Sequence, residues 1–124
     1  MEKGKYNISI LIVDYIIQGM IIKLNFNAQI GHEQAGYRPA VVISNNIFNN
    51  KAKLAIVCPI TNTDNKFPLH IELDKRTKTK GVILCEHLKS LDLRKRKYVF
   101  VENLPKDLLE KVINTVFAEI EEIE

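Results

Sequence analysis

The 124-residue sequence predicts a mainly β fold, α+β by content, in which short antiparallel strands form a small, strongly bent sheet or barrel. Two observations support this prediction. Short apolar or alternating segments recur between polar turns through most of the chain, and apolar residues at helical spacing appear only in the last segment. The sequence contains no internal repeat and no linker, so the C-terminal helix is expected to close one continuous core.

The strands are predicted from two kinds of pattern. The segment 20–26 alternates apolar and polar residues, as does 68–73, whereas 39–44 and 81–85 are continuous apolar runs typical of buried strands. The asparagine-rich stretch 45–51 is interpreted as a turn, and 86–97 as a loop with one helical turn. The predicted strands are Met20–Phe26, Pro39–Ser44, Lys53–Pro59, Pro68–Leu73, Gly81–Cys85 and Tyr98–Val101.

The last segment carries an apolar stripe at a spacing of three and four residues, which indicates an amphipathic helix. Pro105 suits a first helical turn, and Asp107 and Glu110 lie near the end of the helix where negative charge is favourable. The stripe, interpreted as core or dimer contact, consists of Leu108, Leu109, Val112, Ile113, Val116, Phe117 and Ile120.

The chain is predicted to hold a single domain at residues 18–124, preceded by an N-terminal extension at residues 1–17. The apolar run Ile8–Ile17 is much shorter than the roughly 20 residues of a membrane-spanning helix, and Asp14 interrupts it. No small-residue cleavage site follows the lysines near the N-terminus. A cytoplasmic protein without a membrane partner is therefore expected.

The two cysteines, Cys58 and Cys85, each lie inside an apolar strand-like run and are interpreted as small core residues. No CxxC pattern and no histidine pair at ligand spacing occurs in the sequence. We therefore expect neither a metal site nor a cofactor.

The net charge of +3 is modest, but the basic residues are clustered at 75–80 and 94–97. Such clusters suit a polyanion, and they are equally compatible with solvated loops.

Polar residues are expected to meet at one rim of the predicted sheet. Arg38 immediately precedes one predicted strand and Thr61 follows the next, and the start of one antiparallel strand lies beside the end of its neighbour. If the chain continues as a simple meander, the strand from Gly81 ends at the same rim and brings Glu86 and His87 there. The basic segment 75–80 then falls at the opposite rim.

Five sequence blocks resemble, in order and spacing, the MazF/PemK toxins of type II toxin–antitoxin systems. The resemblance covers about residues 18–120, and its blocks are GHEQAGYRPAVVIS, VCPITNT, FPLHIEL, GVILCEHLKSLDLRKR and VENLPKDLLEKV. It implies an SH3-like small barrel of the CcdB/MazF toxin type that acts as a homodimer. It also implies a metal-independent endoribonuclease that cuts single-stranded RNA by attack of the ribose 2′-hydroxyl, leaving a 2′,3′-cyclic phosphate and a 5′-hydroxyl.

The motif positions assign roles to individual residues. Arg38 and Thr61 match the family's catalytic pair, and Glu33 matches a carboxylate beside them. For the general base, Glu33 is considered first and His32 second, while Glu33 could instead only orient Arg38. The residues expected to contact RNA are His32, Gln34, Asn62, Phe67, His70, His87 and Lys89. Of these, His70 alternates away from the apolar face of its strand and is predicted to be exposed.

This sequence departs from the family pattern at two places. Glu86-His87 stands where the family commonly has Asp-Gln, which affects base preference and allows His87 to join the acid–base chemistry. Asn25 to Ala28 replace the usual Asp-Phe-x-Pro at the start of the loop that leads to Gly31.

The resemblance further implies a cognate antitoxin whose C-terminal segment occupies the RNA groove, with promoter DNA contacted only through the antitoxin complex. Two other functions remain open from the sequence. One is a non-enzymatic toxin that resembles CcdB and binds DNA gyrase, and the other is a silent regulator that binds antitoxin or DNA. The pairing of Arg38 with Thr61 favours the ribonuclease, because a gyrase binder has no chemical need for it.

Overall fold

Short strands and two helices build the part of the chain that the computed structural model describes, which comprises residues 15–26, 37–63 and 66–122. The predicted loop residues His32, Glu33 and Gln34 lie outside these ranges. Along the chain the elements are β1 (Met20–Asn25), β2 (Tyr37–Val42), α1 (Asn46–Ala52), β3 (Ala55–Thr61), β4 (His70–Glu72), β5 (Val82–Leu84), a 3₁₀ turn (Cys85–His87), β6 (Lys89–Leu91), β7 (Tyr98–Asn103) and α2 (Lys106–Ile120).

Within these ranges the seven strands form one sheet in the order β4-β5-β3-β2-β1-β7, and β6 also pairs with β3. All of these pairings are antiparallel. β3 is the central strand, because it pairs with β2 along one side, and along the other its first half pairs with β6 and its last two residues with β5. The predicted mainly β fold with a closing C-terminal helix is confirmed.

Alternation along the strands buries both faces of the sheet. One face packs Ile21, Val41 and Ile60 against α2, which contributes Leu108, Val112 and Val116 at intervals of four residues. The opposite face forms a second cluster from β1, β2, β3 and the β6 region. Each fully buried aliphatic side chain contributes roughly 1.5–3 kcal/mol, so the two clusters hold the strand ends that carry the polar residues.

The asparagine-rich segment is a helix, α1, and not the turn that the sequence predicted. The Asn45 side chain accepts a hydrogen bond from the backbone N–H of Phe48 at 2.8 Å, which caps the first turn. Lys53 ends the helix in the left-handed conformation, with φ of 62°. Ser44 and Asn49, both buried, hydrogen-bond to each other beneath it. Asparagine therefore acts here as a helix cap and as a buried anchor.

The segment 86–97, predicted as a loop, contains strand β6, whose Lys89 pairs with Val57 of β3. The helical turn predicted there is present as the 3₁₀ turn. None of the helices in the described part of the chain has the length and apolar character required to cross a membrane.

Candidate functional site

Arg38 and Thr61 lie opposite each other on neighbouring strands. The β2–β3 register pairs Ala40 with Pro59, and two further residues along β2 and β3 bring Arg38 opposite Thr61. Alternation from Ala40 and Pro59 directs both side chains to the same face of the sheet. The guanidinium is exposed and the hydroxyl is half-buried, so the structure brings the two predicted catalytic residues together at an accessible edge.

The Thr61 hydroxyl is oriented by its own loop. Its Oγ1 accepts a hydrogen bond from the backbone N–H of Thr63 at 3.1 Å. A hydroxyl has one proton to donate and two lone pairs, so this contact occupies a lone pair and leaves the proton available to an incoming acceptor. A phosphoryl oxygen is such an acceptor, and Arg38 supplies the adjacent positive charge.

The structure corrects the predicted meander around Thr61. β5, and not β4, pairs with β3, and Val82 at the start of β5 lies opposite Thr61 at the end of β3. β4 pairs only with β5 among the described strands, and it runs parallel to β3 because β5 is antiparallel to both. β5 therefore leaves the Thr61 end instead of arriving there, and Glu86 and His87 lie beyond its far end.

The same correction moves the basic segment. The turn of residues 74–80 connects β4 to β5, so it adjoins the Thr61 end of the sheet and not the opposite rim. Gly81, at the end of this turn, packs directly on β3, where a Cβ atom would lie 2.1 Å from the carbonyl oxygen of Thr61. A glycine ahead of a buried apolar run is a signal for close backbone approach, and at Gly81 this signal marks the contact between β5 and β3 that the sequence prediction missed.

A second polar cluster surrounds Glu86. Its Oε2 lies 2.9 Å from His70 Nε2 and 3.7 Å from His87 Nε2. Its Oε1 is buried and meets no hydrogen-bond donor among the described residues. Glu86 thus links the two histidines, and its charge together with burial raises the pKa of Glu119, burial being the larger cause.

His70 is not the exposed residue that alternation predicted, since its side chain is 5% exposed. The ring is held between the Glu86 carboxylate and the edge of the Phe67 ring, whose centroid is 5.5 Å away. Phe67 and His87 do reach solvent, with exposed fractions of 42% for Phe67 and 60% for the His87 side chain. Sequence alternation missed the burial of His70 because the covering carboxylate comes from a segment sixteen residues later.

The remaining predicted contacts are spread over the surface. Asn62 follows Thr61 directly and is exposed. Lys89, also exposed, pairs with Val57, four residues before Thr61 and therefore about 13 Å away along β3. β4, which carries His70, is two strand spacings from β3, about 10 Å. Neither the Glu86 cluster nor Lys89 can therefore touch the same phosphate as Arg38.

Cys58 and Cys85 are fully buried free thiols, as predicted for core residues. A hydrogen bond that the neutral Cys58 thiol makes with Cys85, followed by burial, raises the pKa of Cys58 far above its ordinary value. Across the described ranges, no group of three or more His, Cys, Asp or Glu side chains is arranged to hold a metal ion.

Comparison with known proteins finds one family along most of the chain. The family of PemK-like, MazF-like toxins of type II toxin–antitoxin systems matches residues 17–118. The endoribonuclease toxin MazF of Escherichia coli strain K12 is 36% identical over 78 residues, which cover 63% of this chain and 69% of that protein. The endoribonuclease PemK of Escherichia coli is 27% identical over 100 residues, covering 77% of this chain and 75% of PemK.

Solved structures agree with this match. A crystal structure of MazF from Deinococcus radiodurans has a TM-score of 0.75 and 33% identity, covering 86% of this chain and 96% of its own. A MazE–MazF structure from the same organism has a TM-score of 0.75 and 30% identity, covering 85% of this chain and 95% of its own.

Proposed function

Because the chain belongs to the PemK-like, MazF-like toxins of type II toxin–antitoxin systems, we propose that it is a sequence-specific endoribonuclease that cleaves single-stranded RNA, mRNA included. The observation that carries the proposal is the β2–β3 register, which, continued two residues beyond Ala40 and Pro59, places Arg38 opposite Thr61 on one face of the sheet. The curated relatives named above are themselves endoribonucleases.

In the proposed reaction the ribose 2′-hydroxyl attacks the adjacent phosphorus and forms a new P–O bond, while the bond to the 5′-oxygen breaks. The products are a 2′,3′-cyclic phosphate and a 5′-hydroxyl. The nucleophile belongs to the substrate, so the protein needs no metal to generate one. What the protein must supply is stabilisation of the charge that grows on the phosphoryl oxygens.

Arg38 and Thr61 fit that task. An arginine is ionised at neutral pH and presents a planar fork of N–H donors, so Arg38 is a clamp for the developing charge. Thr61 donates its hydroxyl proton to a second phosphoryl oxygen, because its lone pair is already engaged by the Thr63 N–H. Glu33 is proposed as general base with His32 as the alternative, on their positions in the HEQAG motif alone.

The exposed residues beyond the pair are proposed to contact neighbouring nucleotides. Asn62 and Phe67 follow the catalytic strand, and Phe67 presents an exposed ring on which a base can stack. His87 and Lys89 lie farther along the surface. The His70 side chain is buried, so it is proposed to influence RNA binding indirectly, by positioning Glu86 and the Phe67 ring. His32 and Gln34 are proposed as RNA contacts on their positions in the motif alone.

Two protein partners are proposed. A cognate antitoxin is supported by the MazE–MazF structures of the related chain from Deinococcus radiodurans, and its C-terminal segment is proposed to cover the RNA-binding surface, so that promoter DNA is met only through that complex. A second copy of the chain is supported by the edge strand β7, where Val99 and Phe100 are exposed. The site of action is proposed to be the cytoplasm, where mRNA is translated.

The test is cleavage of mixed-sequence single-stranded RNA by the purified protein in EDTA, followed by mapping of the fragment ends. We expect discrete cuts that leave 5′-hydroxyl ends. Arg38→Ala and Thr61→Ala should each lower kcat by about 10²–10³-fold, the loss typical of one donor to a developing oxyanion.

Two further variants serve as controls. Arg38→Lys retains the charge without the planar fork and should remain well below the wild type. Thr115→Ala removes a hydroxyl that, within the described part of the chain, donates to the Lys111 carbonyl on α2, and it should leave cleavage unchanged. Absence of cleavage, or cleavage that survives the double change of Arg38 and Thr61 to alanine, would refute the proposal. Binding to DNA gyrase without cleavage would favour the CcdB-like alternative.

A further inference from the structure

The turn of residues 74–80, here called the basic turn, adjoins the proposed catalytic strand. It enters from β4 and leaves through Gly81 into β5, whose first residue Val82 pairs with Thr61. The backbone N–H of Leu73 donates to the Gly81 carbonyl at 2.9 Å, which closes the base of the turn. The position that a Gly81 Cβ would occupy is 2.1 Å from the Thr61 carbonyl oxygen, so no side chain separates the turn from β3.

Carboxylates from two other elements hold the basic turn in place. Arg76 bonds Asp74 within the turn and Asp107 at the start of α2, at 2.8 and 2.9 Å. The Glu102 carboxylate of β7 accepts the backbone N–H groups of Lys78 and Thr79, at 3.0 and 2.8 Å, together with the Thr79 hydroxyl. These contacts tie the turn to β7 and α2, so its backbone is ordered before any ligand arrives.

Thr77 completes this internal structure. It is only 3% exposed, and its hydroxyl donates to the Thr79 carbonyl at 2.7 Å. A surface turn with a buried threonine and a fully engaged arginine is a built element and not a loose, solvated charge run.

Three lysines of the basic turn take no part in these contacts through their side chains. Lys75, Lys78 and Lys80 are exposed, and none forms an ion pair with a carboxylate in the described ranges. Asp74 and Asp107 are hydrogen-bonded by Arg76 and Glu102 by backbone N–H groups, while Lys75 and Lys78 act on Asp74 and Glu102 only as nearby charges. The turn therefore presents three exposed ammonium groups that form no ion pair with the described residues, on an ordered backbone, and a ligand that binds them does not have to order the backbone as well.

We propose that the basic turn is an auxiliary phosphate-binding surface, on which Lys75, Lys78 and Lys80 contact phosphates of the RNA strand outside the scissile step. The inference rests on the proposed ribonuclease function and extends it, since it assigns a longer footprint that passes from Arg38 and Thr61 onto the turn. A single-stranded polynucleotide fits because it carries regularly spaced negative charges and is flexible enough to follow the surface.

The test uses the full chain with Lys75, Lys78 and Lys80 each changed to glutamine. The backbone contacts of Glu102 and the Arg76 ion pairs do not involve these side chains, so the fold should be unaffected. The dependence of kcat/KM on salt is measured with a long single-stranded RNA and with a short oligonucleotide that ends just outside the mapped cut site.

For a single strand, each neutralised phosphate contributes about 0.7 to the slope of log affinity against log salt. Loss of three contacts should make the slope for long RNA shallower by about 2, which corresponds to about a 100-fold loss at 0.1 M salt if the two lines meet at 1 M. The short oligonucleotide should be cleaved equally by both proteins. A charge-matched control changes Lys51 and Lys111 to glutamine and Lys53 to asparagine, all exposed and on or beside α1 and α2, and should change the slope by much less.

The outcomes separate this inference from the proposed function. If the wild-type protein does not cleave RNA, the proposed function is overturned, and with it the basic-turn assignment that rests on it. If it does cleave, an unchanged slope in the lysine variant overturns the basic-turn assignment alone. An equal change in the control variant also overturns it, because net charge would then explain the effect. An unchanged RNA slope with weakened binding of an acidic antitoxin segment overturns it in favour of a protein partner.

Discussion

Replacement of Gly81 by alanine tests the close packing of β5 on β3. Gly81 has φ of +117°, a conformation that costs a residue with a Cβ about 1–3 kcal/mol. The added Cβ would lie 2.1 Å from the Thr61 carbonyl oxygen, and real Cβ contacts are essentially never below 3.0 Å, so the two strands must separate by 3.0 − 2.1 = 0.9 Å. Overpacking of this kind costs about 1–3 kcal/mol more.

The sum, about 2–6 kcal/mol, is a large part of the 5–15 kcal/mol roughly expected for a single domain. At about 4 °C per kcal/mol for a chain of this size, the melting temperature should fall by roughly 8–24 °C. The free energy of unfolding from urea denaturation and the melting temperature from circular dichroism measure this loss directly.

Gly19→Ala is the matched control. Gly19 also has a positive φ, +96°, but its added Cβ would meet only the end of the flexible Leu109 side chain at 3.3 Å. Its cost should therefore be limited to the backbone term of about 1–3 kcal/mol. The Gly81 variant should in addition lose about 10²-fold in kcat per folded molecule, because a shift of about 1 Å displaces Thr61. Equal destabilisation of the two variants would contradict a steric cost at the Thr61 carbonyl, and full activity per folded Gly81→Ala molecule would contradict a displacement of Thr61.

Two further predictions concern titratable groups. Hydrogen bonds from Arg76 hold the pKa of Asp74 at about 2, below its ordinary value of about 3.9. Because its folded-state pKa is lowered, ionised Asp74 stabilises the fold above about pH 4, and this contribution is lost as the pH falls through about 2. Asp74→Asn should therefore lower the free energy of unfolding, measured by urea titration, at pH 6. The difference from the wild type should shrink as the pH approaches about 2. The second concerns the two thiols. Both are buried, and the pKa of Cys58 is raised, so neither should react with an aromatic disulfide reagent at pH 8 while the protein is folded. Labelling should follow global unfolding, and rapid labelling of the native protein would contradict this expectation.

The features predicted most reliably from the sequence are the contacts between strands that follow each other in the chain and the helix marked by its own periodicity. Arg38 and Thr61 meet because β2 and β3, consecutive strands joined through α1, pair in the antiparallel register that buries both apolar runs. The C-terminal helix follows from a stripe whose members Leu108, Val112 and Val116 are buried, as the periodicity indicated.

What the sequence could not predict depends on choices between distant partners. β4 and β5 are both short and partly apolar, and nothing local determines that β5 takes the place beside β3. The meander assumption therefore moved the basic turn to the wrong rim. The burial of His70 was missed for a related reason, since Glu86 covers it from a separate segment. The roles of His32, Glu33 and Gln34 rest on the motif, because these residues lie outside the described ranges.

The pairing of β1 with β7 has a consequence for synthesis of the chain. Ile22 pairs with Phe100, which lies 78 positions later in the sequence. At translation rates of about 5–20 residues per second, roughly 4–16 s pass between the appearance of Ile22 and that of Phe100. Throughout that interval the outer edge of β1 has no native partner, and an unpaired edge is a template for association with other chains. The β2–α1–β3 unit that bears Arg38 and Thr61 is synthesised long before that edge is covered, so the nascent chain carries both residues on a sheet that is still open.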